Sequence, residues 1–126
     1  MLRLGEIRPL RHILVEIGEL VDQNGFNVKE YVEGWLFLPR QRPWSLESPA
    51  ALLELNEVPP GTENEEDAET PELAKREGLK CALLGEDVQS IMCNARQQKP
   101  AVSLDEIFDA FLYYYERDAF MEFDWL

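Results

Sequence analysis

The sequence predicts an α+β fold: one small antiparallel sheet of about three strands, with helices packed against one face of it. Three observations carry that expectation. Apolar residues recur at helical spacing in three separate stretches. Short leucine-rich, aromatic or β-branched runs, bounded by Pro or Gly, alternate with those stretches. The link between the first two runs is short and rich in turn residues, which suits an antiparallel pair. At 126 residues, the chain supports a single domain, 1–126, around one core.

The elements follow in order. Leu10, Ile13, Leu14, Ile17, Leu20 and Val21 form an apolar stripe, with His12, Glu16 and Glu19 mostly on the other side. Pro9 suits a first helical position and Asn24-Gly25 a stop, so a helix is expected over 9–23. Trp35-Leu36-Phe37-Leu38, closed by Pro39, reads as a strand over 33–38, with a helical turn as the alternative for the earlier part, 28–32. After Pro43, Ser45, Ser48 and Pro49, the run Ala51-Leu52-Leu53-Glu54-Leu55 reads as a second strand, with a helical alternative because Leu and Glu are good helix formers. Residues 57–72 read as a mobile acidic loop. Thr70-Pro71-Glu72 offers a cap, a first-turn proline and an acid at a helix start, and Gly78 stops that short helix. Leu79 to Leu84 is the third strand. Gly85-Glu86-Asp87 opens a helix with the stripe Val88, Ile91, Met92 and Ala95, closed by Pro100. Ser103 followed by Glu106 is a capping-box pattern, opening a last helix over 104–117. From Phe120 on, apolar and acidic residues roughly alternate, as in an edge strand, an extended arm or a tail tucked onto its own core.

Charge bounds the function. The net charge is −13 and it is unevenly placed: residues 43–74 carry nine acidic and no basic side chains, and residues 100–126 carry seven acidic and one basic. This excludes nucleic-acid and anionic-membrane partners, which demand Lys and Arg. It favours a soluble protein that meets a positively charged protein partner quickly and salt-sensitively. No apolar run is long enough to cross a membrane, and the start lacks a signal-peptide core, so the cytoplasm is the expected compartment. Cys81 and Cys93 have no metal or redox spacing and read as two small buried thiols.

Catalytic residue types are sparse. His12 is the one histidine, with no partner indicated, and reads as a surface residue. Ser103 is accounted for by capping, and no phosphate-binding glycine loop exists. Asp105, Asp109 and Glu116 share one face of the last helix. Helix solvation explains them as well as cation binding does, so neither a metal nor a cofactor is expected. The C-terminal stretch is different in kind. Eight of the thirteen aromatics lie between Phe108 and Leu126, among five acidic residues. Acids that meet a partner's Arg and Lys, with aromatics as desolvated anchors, are interface chemistry. Asp105, Asp109, Tyr113, Glu116 and Asp118, together with Glu65, Glu66 and Asp67 of the acidic loop, are therefore the candidate partner-binding residues. Tyr113 has two readings, an interface aromatic or a cap on the edge of the core. Trp35 and Trp44 flank the Arg40-Gln41-Arg42 turn, which allows an arginine to stack on a tryptophan, against the plainer reading of Trp35 as a core residue.

The stretch from Cys81 to Met121 resembles a family of small acidic bacterial proteins associated with immunity to toxins, including those of contact-dependent growth inhibition. Leu36-Phe37-Leu38-Pro39 with Pro43-Trp44, Ala82-Leu83 leading to Asp87-Val88, and Ala110 to Tyr115 followed by Asp118-Ala119-Phe120 carry the resemblance. It implies a cytoplasmic, non-catalytic antitoxin that binds one cognate toxin domain, often a basic nuclease. It carries over no defined contact residues. The alternative is a protein-interaction or regulatory module, monomeric or homodimeric through the aromatic tail.

Overall fold

A computed structural model describes residues 3–123. In chain order it holds β1 (Arg8–Pro9), α1 (Leu10–Glu19), β2 (Trp35–Pro39), β3 (Pro49–Leu53), α2 (Glu65–Glu69), α3 (Glu72–Glu77), β4 (Leu79–Leu84), α4 (Gly85–Gln98) and α5 (Leu104–Arg117). The four strands form one sheet in the order β1-β3-β2-β4, every neighbouring pair antiparallel. The α+β class is as expected. The added strand is β1, whose Arg8 and Pro9 pair with Ala50 and Pro49 of β3. Pro9 thus ends a strand and immediately precedes α1, which is why it resembles a helix opening.

The strand pleat sorts side chains between two faces. Leu36, Leu38, Ala50 and Leu52 enter the larger core, built with Leu10, Ile13, Leu14 and Ile17 of α1, Val88, Ile91 and Met92 of α4, and Ile107 and Phe111 of α5. Phe37, Ala51, Leu53 and Leu79 face the opposite way and pack with Ala74 and Leu73 of α3. The expectation that all helices lie on one face is therefore corrected: α3 covers part of the other. Burial on both faces removes the alternating polar positions and leaves β2 and β3 as continuous apolar runs. Between β2 and β4 the register shifts, so that Leu36 faces Leu83 and Phe37 faces Cys81, leaving Ala82 as the extra residue of a bulge.

Other boundaries move for identifiable reasons. α1 ends at Glu19, short of residue 23. Arg96 of α4 donates through Nη1 to the carbonyls of Gly18 (2.8 Å) and Val21 (3.2 Å), closing the helix from outside. The helical alternative for 28–32 is not adopted, since Val28 bridges back to Val21. Glu16 does not sit on a solvated face: it reaches the buried Arg8 at 2.6 Å. Residues 57–72 are not loop throughout, because α2 occupies Glu65–Glu69. Thr70 does not cap α3; its hydroxyl donates back to the Glu66 carbonyl at 2.8 Å and closes α2 instead. The two thiols are not buried either, Cys81 being exposed and Cys93 half-buried. Among the described residues, no helix is long and apolar enough to cross a membrane.

Candidate protein-binding surface

α5 presents the clearest charged surface, and its sequence explains its precision. The Ser103 hydroxyl accepts from the Glu106 N–H at 3.1 Å, and the Glu106 carboxylate accepts from the Ser103 N–H at 3.0 Å. This reciprocal box satisfies two donors that a helix start leaves open. Lys99 adds a 2.7 Å contact to the same carboxylate. The Lys99 hydrogen bond first, and the Ser103 N–H second, pull Glu106 down to about 2. Ile107, Ala110 and Phe111 bury the inner side of the helix.

On the outer side, Asp105, Asp109 and Glu116 are all exposed, as expected from their spacing. The structure separates them by what they already hold. Asp105 and Asp109 enter no ion pair among the described residues. Glu116 is taken by Arg42 at 2.8 Å. Arg42 also lies 4.5 Å over the Trp44 ring and 5.2 Å over Tyr115, while Lys80 approaches both rings at 5.9 Å. Trp44 is buried beneath this lid and meets Tyr115 edge-on at 4.8 Å. Glu116 is thus part of an internal cation–aromatic stack, an exposed pair contributing about 0.2–1 kcal/mol, and it is a poorer contact for a partner than its two neighbours.

Tyr113 is half-buried, with the Arg117 guanidinium 4.9 Å from its ring. Asp118 is exposed and adopts a left-handed φ of 53° as the residue that ends α5, its N–H donating to the Tyr114 carbonyl at 2.8 Å. Tyr114 is half-buried, and burial first, then Asp87 and Asp118, push its hydroxyl pKa upward.

The second acidic block lies elsewhere in the fold. Glu65, Glu66 and Asp67 are exposed on α2, a helix with no buried residue, entered through Asn64 at a left-handed φ of 52°. Asp67 contacts Lys75 of α3 at 3.2 Å. Asn56 holds the block down, donating to the carbonyls of Ala68 and Thr70, each at 3.2 Å. Cys81 lies close enough to feel Glu66. Desolvation first, and that carboxylate second, raise its thiol to about 11, so it is a poor nucleophile although its residue is open to solvent. Among the described residues, no three His, Cys, Asp or Glu side chains converge as a cation site would need. His12 is exposed.

Sequence reasoning passed over two glutamines of α4. Gln89 is buried and bonds both the Val32 N–H (2.8 Å) and the Glu30 carbonyl (2.6 Å). Gln98 does the same for the Phe123 N–H (2.9 Å) and the Met121 carbonyl (2.8 Å). The C-terminal segment is therefore tied to its own core as far as Phe123. Asp124, Trp125 and Leu126, counted in the aromatic cluster, lie outside the described residues. Nothing in a helical sequence marks a glutamine as a clamp, since its polar character matches a solvated position equally well.

A family model described as a domain of unknown function, DUF7716, matches residues 10–123. No curated protein matches, and no solved structure matches.

Proposed function

We propose that this chain, which belongs to the DUF7716 family, is a non-catalytic inhibitor that binds a basic protein domain, in the manner of a cytoplasmic immunity protein neutralising a cognate bacterial toxin. One observation carries the reading. Asp105 and Asp109 stand exposed and unpaired on a rigid helix, while the neighbouring cations Lys99, Arg42 and Arg117 are already engaged with Glu106, Glu116 and Tyr113. The face is left with negative charge that nothing in the described chain answers. Carboxylates held at fixed spacing imitate the phosphates that a nuclease cleft binds, and they speed encounter with such a cleft. The toxin identity of the partner rests on the family resemblance in the sequence; the basic partner rests on the charge.

The test is recovery of the tagged chain from its host, washed at low and then high salt, with bound proteins identified by mass. The expected result is a basic domain released by salt, whose toxicity co-expression suppresses. The double reversal Asp105→Lys with Asp109→Lys is expected to lower its affinity by at least tenfold. Unchanged affinity would move the interface off α5, and an acidic or neutral partner would overturn the reading.

A further inference from the structure

Large apolar side chains left in water are informative when they gather, and three of the five exposed ones among the described residues lie on segments fastened to one helix, with Leu4 and Val15 elsewhere. Phe26 is 70% exposed, Tyr31 68% and Phe120 43%. The first two sit on the segment 22–33, which runs along α4 and is fastened to it. Gln97 donates to the Gly25 carbonyl at 2.8 Å, and Gln89 holds Glu30 and Val32 two helical turns away. Gly25, at φ 74°, lies so close that a Cβ there would stand 2.6 Å from the Cys93 carbonyl oxygen. Asp22 orders the bend before Phe26 by accepting from the N–H groups of Asn24 (3.0 Å) and Phe26 (3.1 Å). Phe120 sits on the C-terminal segment, which Gln98 fastens to the end of the next row of α4, and its ring lies 5.4 Å from that of Tyr114.

Between these two fastened segments runs the row Glu86, Ser90 and Asn94, one residue per turn. Glu86 and Ser90 are exposed. The row thus lies between two fastened segments that carry exposed aromatics, with Glu86 and Ser90 open to solvent between them. The charge of this face is one-sided. Across residues 22–33, 86–94 and 118–123 there are seven acidic side chains and one basic one, Lys29. Among the described residues, Glu30, Glu33, Glu86, Asp87, Asp118 and Glu122 enter no ion pair. The backbone groups that turn toward α4 at Glu30, Val32, Met121 and Phe123 are already used by the two glutamines, so this face offers side chains where an edge would offer a strand ladder.

We propose that the outer face of α4, between Phe26 and Tyr31 on one side and Phe120 on the other, is the docking surface for a cationic amphipathic helix of the partner protein. Phe26, Tyr31 and Phe120 supply apolar anchors on backbone that is already fastened before binding, and the carboxylates beside them select Arg and Lys. This rests on the reading that the partner is basic and goes beyond it by adding to the Asp105–Asp109 face a second contact, on α4, and by naming the shape of what docks there.

Two synthetic helical peptides of equal length and charge test it on the isotope-labelled full chain at low salt: one Arg/Leu amphipathic, one with Ser in place of every Leu. The Arg/Leu peptide is expected to bind saturably, with amide shifts concentrated at residues 25–33, 86–94 and 120–123. Phe26→Ser with Tyr31→Ser is expected to weaken it at least tenfold while spectral dispersion is kept. Glu30→Lys with Glu33→Lys gives a second route to the same loss should the aromatic variant not fold. Shifts centred on residues 104–117 would overturn the surface while leaving a basic partner in place, as would equal binding of both peptides or undiminished binding by the variants. Failure of both peptides to saturate would remove the surface and the basic-partner reading together.

Discussion

α5 and the 57–72 segment both carry an excess of acids, yet they hold their carboxylates by different means. α5 has fourteen residues, a reciprocal cap and a buried inner side. α2 has five residues, no side-chain cap and nothing buried. The first is positioned by apolar packing, and the second by the hydrogen bonds of Asn56 and Thr70 at its borders. The denser charge of the 57–72 segment therefore does not mean greater readiness to bind. Acids on a packed helix lose little freedom when a partner arrives, whereas acids on a loosely tied turn have ordering still to complete.

The sharpest way to break the contrast is to remove the packing under α5. Phe111→Ala empties a fully buried position and is expected to cost about 3–5 kcal/mol in denaturant unfolding. No single truncation on α2 is expected to approach that. Next in size is the cap. Ser103→Ala is expected to cost about 1 kcal/mol, read as a lowered melting temperature. The same site gives a pH signature. Glu106 is held at about 2, below its ordinary 4.5, so its contribution is complete above about pH 4.5 and fades as the pH falls toward 2. Helicity of the α5 N-terminus followed through an acid titration is expected to decline in that window, and Glu106→Gln to remove this part of the dependence. The smallest effect belongs to the other block. Asn56→Ala is expected to lower global stability by no more than about 1 kcal/mol, while amide exchange quickens selectively across residues 65–70. Equal slowing or quickening in α5 would erase the distinction between the two blocks.

Much of the fold was legible because its signals were local. The i, i+3, i+4 recurrence from Leu104 to Tyr115 and the Ser103–Glu106 box set α5 without reference to anything distant. The Pro-bounded runs set β2 and β3 to within two residues. What escaped depended on partners far along the chain. Arg8 is charged, yet it is buried because Glu16 meets it and β3 pairs beside it. α1 stops early because Arg96 caps it. Thr70 had the chemistry of a cap for α3, but its hydroxyl bonds the Glu66 carbonyl and α3 is entered one residue later, through Pro71. The candidate site divided in the same way. The exposure of Asp105 and Asp109 followed from helix geometry, whereas the engagement of Glu116 by Arg42 required knowing which turn the sheet would bring alongside α5. The clamps Gln89 and Gln98, and the ordered display of Phe26 and Tyr31, had no local signature at all.

The strand order β1-β3-β2-β4 also bears on how the chain assembles during synthesis. Only β2 and β3 are close neighbours in sequence. β1 must wait for a strand about forty residues downstream, and β2 waits for β4 across nearly fifty. Loop closure of that length delays each long-range pairing until the intervening chain is available. Once β3 has emerged, β1 and β2 are both available to it, so β1-β3-β2 can form early, with the edge of β2 open until β4 arrives. Completion of the sheet and core falls to residues 79–117, where β4 covers the open edge of β2 and α4 and α5 seal the larger core. A nascent chain truncated before α4 would expose Leu36, Leu38 and Leu52 to solvent, so the acidic, aromatic C-terminal region also governs whether the unfinished chain stays soluble.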